Sequence, residues 1–368
     1  MGEALSLARC GLYTTYPNPA VGCVFVRGGK IIGRGYHHKA GQPHAEIMAL
    51  NDAKNDVKGA TCYVTLEPCS HYGRTPPCAK RLVEAGISRC VIATGDPNPQ
   101  VHGRGIEILK QASIEVCYPL CDDKARFLNR AFMKAITQKL PYVSLKIGMS
   151  TDAKTALANG QSKWITCQKS RAQVQKLRAL CDVIITGSGT VISDNPLLNV
   201  RYDELPKKTR KVLPREELRQ PLKVILDSHA RLVPEHFQIF SKGQVLWVVG
   251  ATTDECREEI VDEHVTKLYL SCDQDGHVNL RKVLEYLGQK DYRHVFVEAG
   301  SLLSSAFVKA DLVDEFYFFI APKLLGKSSR DALRLEEPLA LDDCLKYKIV
   351  KTKKCGDDVL IHGLIKEY

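Results

Sequence analysis

Long apolar runs are missing from the 368 residues of this chain. A membrane-spanning helix needs roughly 18–20 of them in a row, and stretches such as residues 316–321 are short and strand-like. The opening residues lack the basic-then-apolar order of a secretory signal, since Glu3 and Arg9 interrupt them. No internal repeat or low-complexity tract is present. Aromatics make up only 7% of the chain, thin material for the stacking surfaces on which single-stranded nucleic acid is held. The fourteen cysteines show no disulfide-like spacing, and a chain of this size needs no staples. The expectation is reduced thiols in a cytoplasmic setting, with no membrane and no nucleic-acid partner.

What is there reads as globular. The composition is 44% hydrophobic and 26% charged, which excludes collagen-like, disordered and coiled-coil classes. The length suits two or three domains of roughly 100–200 residues. The net charge of +10 suits phosphorylated ligands without naming one. Met1-Gly2-Glu3-Ala4-Leu5-Ser6 fits a loose myristoylation pattern. The same residues also begin an amphipathic helix with Leu5, Leu7 and Ala8 to bury, and the helix is the preferred reading.

Strand and helix signals alternate along the first 120 residues. Strands are predicted at 21–26 and 30–35 around the Gly28-Gly29 turn, then at 61–66, 90–94 and 114–117. Helices are predicted from Pro43 through 44–54, at 78–85 before Gly86, and at 105–111. This order implies a largely parallel sheet with helices on both faces. A helix at 122–138 is followed by Pro141, and the division is placed near there: 1–140 and 141–368. The α/β alternation then restarts, with strands at 142–147, 183–186, 222–226, 245–249, 267–270, 294–297 and 315–320. Helices are expected at 170–180, 279–287 and 301–310, and 202–220, rich in Pro, Lys and Arg, reads as an exposed loop.

The strongest chemical signal is Pro43-His44-Ala45-Glu46, followed by Pro68-Cys69 and Pro77-Cys78. One imidazole and two thiolates suit Zn²⁺, and three protein ligands leave a fourth position for water. Zinc lowers the pKa of that water towards neutrality. Glu46, two residues from His44, can take the proton and pass it to a leaving amine. His71 is the rival fourth ligand, which would close the site. The pattern matches the zinc nucleobase deaminase signature H-x-E…P-C-x-x-C, except that eight residues rather than two separate the cysteines. The remaining cysteines read as ordinary buried thiols.

That departure points to a family. The run Cys69-Ser70-His71-Tyr72-Gly73-Arg74-Thr75-Pro76-Pro77-Cys78 resembles the deaminase half of the bifunctional riboflavin-biosynthesis deaminase-reductases. So do Thr15-Tyr16-Pro17-Asn18-Pro19-Ala20-Val21-Gly22, Gly35-Tyr36-His37 and Asp96-Pro97-Asn98-Pro99-Gln100-Val101 before Gly103-Arg104-Gly105. The resemblance implies a cytidine-deaminase-like domain that deaminates a diaminopyrimidinone ribosylamine 5′-phosphate. It makes His44, Cys69 and Cys78 the zinc ligands and Glu46 the proton shuttle, with Asn18 and His71 as substrate contacts. Arg74 is a basic loop residue able to face a phosphate.

In the second half, Thr186-Gly187-Ser188-Gly189-Thr190 and Val297-Glu298-Ala299-Gly300-Ser301 each follow a strand. Their glycines would allow close approach to a phosphate, but the full dinucleotide fingerprint is missing, and an ordinary tight turn is an equal reading. Resemblance to the reductase half of the same enzymes extends over Leu145-Lys146-Ile147-Gly148-Met149-Ser150, Gly160-Gln161-Ser162-Lys163-Trp164, Asp194-Asn195-Pro196-Leu197-Leu198-Asn199-Val200-Arg201, Leu226-Asp227-Ser228 and Ala321-Pro322-Lys323-Leu324-Leu325-Gly326. It implies a dihydrofolate-reductase-like domain that uses NADPH to reduce the ribosyl group of a phosphorylated pyrimidine ribotide to ribityl. Gly148, Trp164, Thr190, Asp194, Ser228, Gly300 and Ser301 would then border the cofactor. Lys146, Ser162, Arg178, Leu198, Arg201 and Glu298 would line the substrate, the two arginines suiting its 5′-phosphate. Lys146 would polarise the open-chain sugar or else point to solvent, and Trp164 could equally be core. A homo-oligomer is expected.

Two positions depart from the family pattern: Ala153 and Ala299 stand where glycine is usual. An added Cβ there meets either positive φ or close ligand approach. The alternative reading is therefore an active deaminase joined to a degenerate reductase that only binds nucleotide.

Overall fold

The computed structural model describes residues 1–70, 77–99, 101–253 and 256–368. The chain divides into two compact units, Met1–Lys139 with Val212–Leu218 and Tyr368, and Leu140–Lys211 with Arg219–Glu367. Among the described residues no helix is long and apolar enough to cross a membrane.

The first unit is a five-stranded sheet: β1 (Gly22–Arg27), β2 (Lys30–Tyr36), β3 (Thr61–Val64), β4 (Arg89–Ile92) and β5 (Glu115–Cys117), in the order β2-β1-β3-β4-β5. Gly28 and Gly29, at φ 58° and 75°, supply the left-handed turn that folds β1 onto β2. Helix α1 (Gly2–Gly11) buries Leu5 and Ala8, as its amphipathic pattern requires. Helix α2 (Ala45–Asp52) lies so close on β2 that a Cβ on Gly35 would sit 2.3 Å from the Ala49 nitrogen. Helices α3 (Cys78–Glu84) and α4 (Arg104–Gln111) complete the alternation.

Two expectations change here. The sheet is mixed rather than largely parallel: β3-β4-β5 run parallel, while β1 is antiparallel to both neighbours. A short hairpin turn can only join antiparallel strands. The helix expected over 122–138 is two, α5 (Asp122–Leu128) and α6 (Arg130–Gln138). Asn129 breaks it, because its buried amide accepts from the Ala20 nitrogen at 2.8 Å and donates to the Ala20 carbonyl at 2.9 Å. That tertiary pairing outweighs helix continuity.

The second unit begins with β6 (Tyr142–Ser150), β7 (Lys154–Ala156), helix α7 (Gln168–Leu180), β8 (Val183–Gly187) and helix α8 (Ser188–Asp194). It continues through helix α9 (Lys207–Arg210), β9 (Leu222–Leu226), β10 (Val245–Ala251), β11 (Arg257–Ile260), β12 (Val265–Ser271), helix α10 (Leu280–Gln289) and β13 (His294–Val297). Helix α11 (Ser301–Lys309), β14 (Glu315–Ala321), β15 (Arg330–Asp331), β16 (Lys348–Cys355) and β17 (Asp358–Leu364) close the chain. Ten strands form one sheet in the order β11-β12-β10-β9-β8-β13-β6-β14-β17-β16. From β12 to β14 all neighbours are parallel. Both faces are buried, which is why these strands read as unbroken apolar runs. Along β8, Val183 and Ile185 enter one core with Phe307 of α11 and Leu284 of α10, while Ile184 enters the other beside Val174 and Leu177 of α7.

The segment 202–220 is not simply an exposed loop. It contains α9 and short 3₁₀ turns at Tyr202–Glu204 and Arg215–Glu217, and it buries Leu205, Thr209 and Leu213. The hairpin β16–β17 has no counterpart in the sequence reading, because β16 is lysine-rich and exposed along nearly all its length.

Candidate functional sites

His44 is the residue capping the start of α2, and Glu46 lies in that helix's first turn, 3% exposed. Cys69 follows the end of β3, and Cys78 opens α3. The His44 Nδ1 atom is 3.6 Å from the Cys69 sulfur and 3.4 Å from the Cys78 sulfur. All three ligand atoms lie within 4.8 Å of one another, the one such cluster among the described residues. Tetrahedral zinc with ordinary Zn–N and Zn–S bonds sets its ligand atoms about 3.6 Å apart. The two His44–sulfur distances match that spacing, and zinc is the metal of this domain.

Its surroundings are electrostatically ordered. The hydrogen bond between the two thiols pushes Cys69 down and Cys78 up, so one thiolate is already favoured across the pair. The Cys78 backbone amide donates to the Cys69 sulfur at 3.3 Å. Burial, and behind it the Cys69 sulfur, raises the Glu46 carboxyl to about 7. A carboxyl poised there can both accept and return a proton near neutral pH.

Asn18 reaches this centre through a residue that the sequence reading left without a role. The Asn18 amide nitrogen is 3.0 Å from His37 Nε2, and His37 Nδ1 is 3.1 Å from the Pro43 carbonyl. The His37 ring meets the His44 ring edge-on at 5.3 Å. Burial lowers the His37 pKa, which favours a neutral ring that accepts from Asn18 and donates to Pro43. Its only sequence signal is its place in Gly35-Tyr36-His37. His71 and Arg74 lie outside the described residues.

In the second unit, a cleft of about 1440 Å³ opens along the C-terminal ends of β6, β13, β8 and β9, where parallel sheets commonly bind ligands. Every residue assigned to this half from the sequence lines it. Helix α8 does follow the Gly187 junction, and the Gly300 amide donates to Thr190 Oγ1 at 3.2 Å, joining the two glycine turns. Asp194 ends α8, and its carbonyl accepts from Lys163 at 3.2 Å. The Ser228 hydroxyl accepts from the Val278 amide. Gly148 has room for a Cβ, so the cleft does not demand glycine there. Leu198 is held at φ 50° and buried. Ser162 lies on the loop leading to Trp164, which is not core: it is 62% exposed, with the Arg171 guanidinium 4.3 Å over its ring.

At the floor of the cleft Glu298 is 6% exposed, and both of its carboxylate oxygens accept from cationic side chains. Arg178 contacts them at 2.5 and 3.2 Å, and Lys146 Nζ lies 3.2 Å from Oε2. Burial alone would raise this carboxyl, but Arg178 and then Lys146 outweigh it and hold it at about 2. The solvent reading of Lys146 is therefore set aside. Arg178, expected from the sequence to line the substrate, is also the partner of Glu298. A third bond goes to the Asn199 carbonyl; the guanidinium has five N–H donors, so it compensates a buried carboxylate and still lines the cleft. Arg201 instead pairs with Glu204 at 2.5 and 2.8 Å near the surface.

The two alanine departures separate. Ala153 has φ 56°, the left-handed region that glycine favours, whereas Ala299 is outside it. The Ser150 hydroxyl, and after it the Gly326 and Leu325 amides that donate to the neighbouring Asp152, lower its carboxyl to about 2.

Comparison with known proteins joins these halves. Residues 1–94 match the cytidine and deoxycytidylate deaminase zinc-binding region, and residues 141–361 match the RibD C-terminal domain. The riboflavin biosynthesis protein RibD of Escherichia coli (strain K12) is 43% identical over 362 residues, covering 98% of this chain and 97% of that protein. The solved structure of Acinetobacter baumannii RibD, form 1, superposes with a TM-score of 0.87 at 41% identity, over 99% of this chain and 97% of that one. A Thermotoga maritima diaminohydroxyphosphoribosylaminopyrimidine deaminase/5-amino-6-(5-phosphoribosylamino)uracil reductase gives a TM-score of 0.85 at 34% identity, over 99% and 97%. The degenerate-reductase alternative is not favoured by this full-length likeness. With a zinc triangle in one half and a nucleotide cleft in the other, this chain belongs to the RibD family, the zinc- and NADPH-dependent bifunctional deaminase-reductases of riboflavin biosynthesis.

Proposed function

We propose that residues 1–140 deaminate 2,5-diamino-6-ribosylamino-4(3H)-pyrimidinone 5′-phosphate and that residues 141–368 reduce the ribosyl group of the product to ribityl. The observation that carries the reading is the His44–Cys69–Cys78 triangle with a buried carboxyl, Glu46, two residues from its histidine. When bound, zinc supplies Lewis-acid activation of water and NADPH supplies a hydride. The rest falls to the chain. Glu46 takes the proton of the attacking water and returns it to the departing amine, so that water is consumed and ammonia released. Asn18, braced by His37, pairs with the pyrimidine edge, and His71 contacts the same substrate.

For the reductase half we assign Gly148, Trp164, Thr190, Asp194, Ser228, Gly300 and Ser301 to the nicotinamide cofactor. Ser162 and Leu198 border the ribotide. Lys146, held against Glu298 yet 23% exposed at its side chain, donates a hydrogen bond to the open-chain sugar as hydride arrives. Arg178 and Glu298, paired with each other, line the ribotide, with Arg178 towards its 5′-phosphate. Arg201, whose Glu204 pair is 43% and 45% exposed, exchanges that partner for the 5′-phosphate; exposed pairs are weak enough to be exchanged.

A cytoplasmic location draws support from fourteen free cysteines. A homo-oligomer draws support from exposed apolar side chains near β16, including Leu339, Leu341 and Ile349. Light scattering checks the oligomer. We propose no nucleic-acid partner.

The deciding experiment is mass spectrometry of the product from the diaminopyrimidinone ribotide, with and without NADPH. Amine-to-oxygen exchange without NADPH, and hydride gain only with it, is the expected result. Asp194→Ala should impair hydride gain alone; equal loss of both steps would sink the two-site division.

A further inference from the structure

The Asp96–Gly105 region contacts the zinc-ligand segment through one buried side chain to which no role has yet been given. Glu67, two residues before Cys69, is 4% exposed. Its Oε1 accepts from the Gly105 amide at 3.0 Å and the Ile106 amide at 3.3 Å. Its Oε2 accepts from the Gly103 amide at 3.0 Å and the Asp96 amide at 3.4 Å. The Glu67 amide in turn donates to the Thr94 carbonyl at 2.9 Å. A buried carboxylate needs such donors to offset its lost hydration. Here three of the four come from the start of α4, whose free amides favour an acidic partner.

The approach is tight as well as polar. A Cβ on Gly105 would sit 2.0 Å from the Pro68 carbonyl oxygen and 3.2 Å from Glu67 Oε1. Glycine at 105 therefore lets α4 press directly on the peptide that leads into Cys69. From the other side, the Cys78 amide holds the Cys69 sulfur and the Ala79 amide holds the Cys69 carbonyl at 3.2 Å. Cys69 is thus clamped between the starts of two helices, and Glu67 is the link to α4.

We infer that Glu67 is a positioning residue for deamination: its carboxylate, held by the amides at the start of α4, sets where Cys69 presents its sulfur to the metal. The inference rests on reading Cys69 as a zinc ligand. It requires that loosening the link alters the ligand field and turnover, and not merely stability. Supporting residues of this kind typically carry about 10–100-fold in metal affinity or activity.

The test uses the full chain with cobalt(II) in place of zinc, because thiolate–cobalt absorption reports the geometry of the sulfur ligands. Glu67→Ala, Glu67→Gln and Gly105→Ala are compared with the parent, and circular dichroism with thermal unfolding serves as the folding control. Glu67→Ala should lower deamination kcat by about 10–100-fold with little change in KM, weaken zinc binding by a similar factor and shift the cobalt spectrum. Glu67→Gln, which keeps one acceptor oxygen, should recover part of each effect. Gly105→Ala should reproduce the defect by pushing Pro68 away from α4 and loosening the Glu67 contact with it. Parental cobalt spectrum, zinc affinity and kcat in the folded variants would overturn the inference. Should Glu67→Ala not fold, the same parental readouts in Glu67→Gln and Gly105→Ala would overturn it. Absence of thiolate–cobalt absorption in the parent itself would instead reject the zinc-ligand reading.

Discussion

The two sites are built on different scales. The deaminase centre gathers three ligand atoms within 4.8 Å from a chain segment running from His44 to Cys78. The reductase cleft spreads about 1440 Å³ across four strand ends, and its charged floor joins Lys146, Arg178 and Glu298 from three separate elements. A metal site is a short-range demand that few side chains can meet, and it tolerates little error in distance. A nucleotide cleft distributes its task over many weak contacts, so no one spacing defines it. Local chemistry concentrates function, whereas the cleft depends on how distant charges neutralise each other.

The sharpest test of that contrast is at Glu46. Glu46→Gln should retain zinc and lower deamination by about 10²–10⁴-fold, with hydride transfer to the pre-formed aminouracil ribotide unchanged. Ammonia release and NADPH oxidation, assayed separately, check this; parental ammonia release would remove the shuttle role. Zinc chelation should produce the same split. A chelated sample that also lost hydride transfer would break the comparison.

Next in size comes Glu298. Glu298→Ala leaves two cations without their shared buried partner, a loss of about 3–5 kcal/mol. Denaturant unfolding should show it in the reductase half while ammonia release persists. The pH dependence has a defined sign. Glu298 is held at about 2 against an ordinary 4.5, so its stabilisation is fully present above pH 4.5 and fades as pH falls towards 2. Parent and variant midpoints should therefore converge in acid, and a gap undiminished between pH 5 and pH 2 would contradict the assignment.

The smallest effect separates the alanines. Ala153→Gly should stabilise the reductase half by about 1 kcal/mol, since Ala153 occupies left-handed backbone. Ala299→Gly should bring no gain. Melting temperatures and NADPH affinities measure both, and equal responses would remove the distinction.

The zinc triangle was legible because His44, Glu46, Cys69 and Cys78 have few other reasons to occur in that order. Most strands could be read because buried strands leave apolar runs, as at residues 183–186 and 315–320. Asn129 was not legible as a helix breaker, since its partner Ala20 lies 109 positions away. Nor was β16, whose exposed lysines carry no apolar alternation. Arg178 read as a phosphate ligand because a guanidinium suits phosphate, and only the fold shows that it also pairs with Glu298.

Sequence alone determined the ligand types, the metal they suit, the alternation of elements and the departures at Ala153 and Ala299. Tertiary structure decided which departure is strained, which arginine is neutralised within the protein, and which buried side chains, His37 and Glu67, support the site. The physical reason is range. Periodicity and ligand chemistry are properties of neighbours in the chain, whereas desolvation, charge pairing and close backbone approach depend on groups that meet only when the chain has folded.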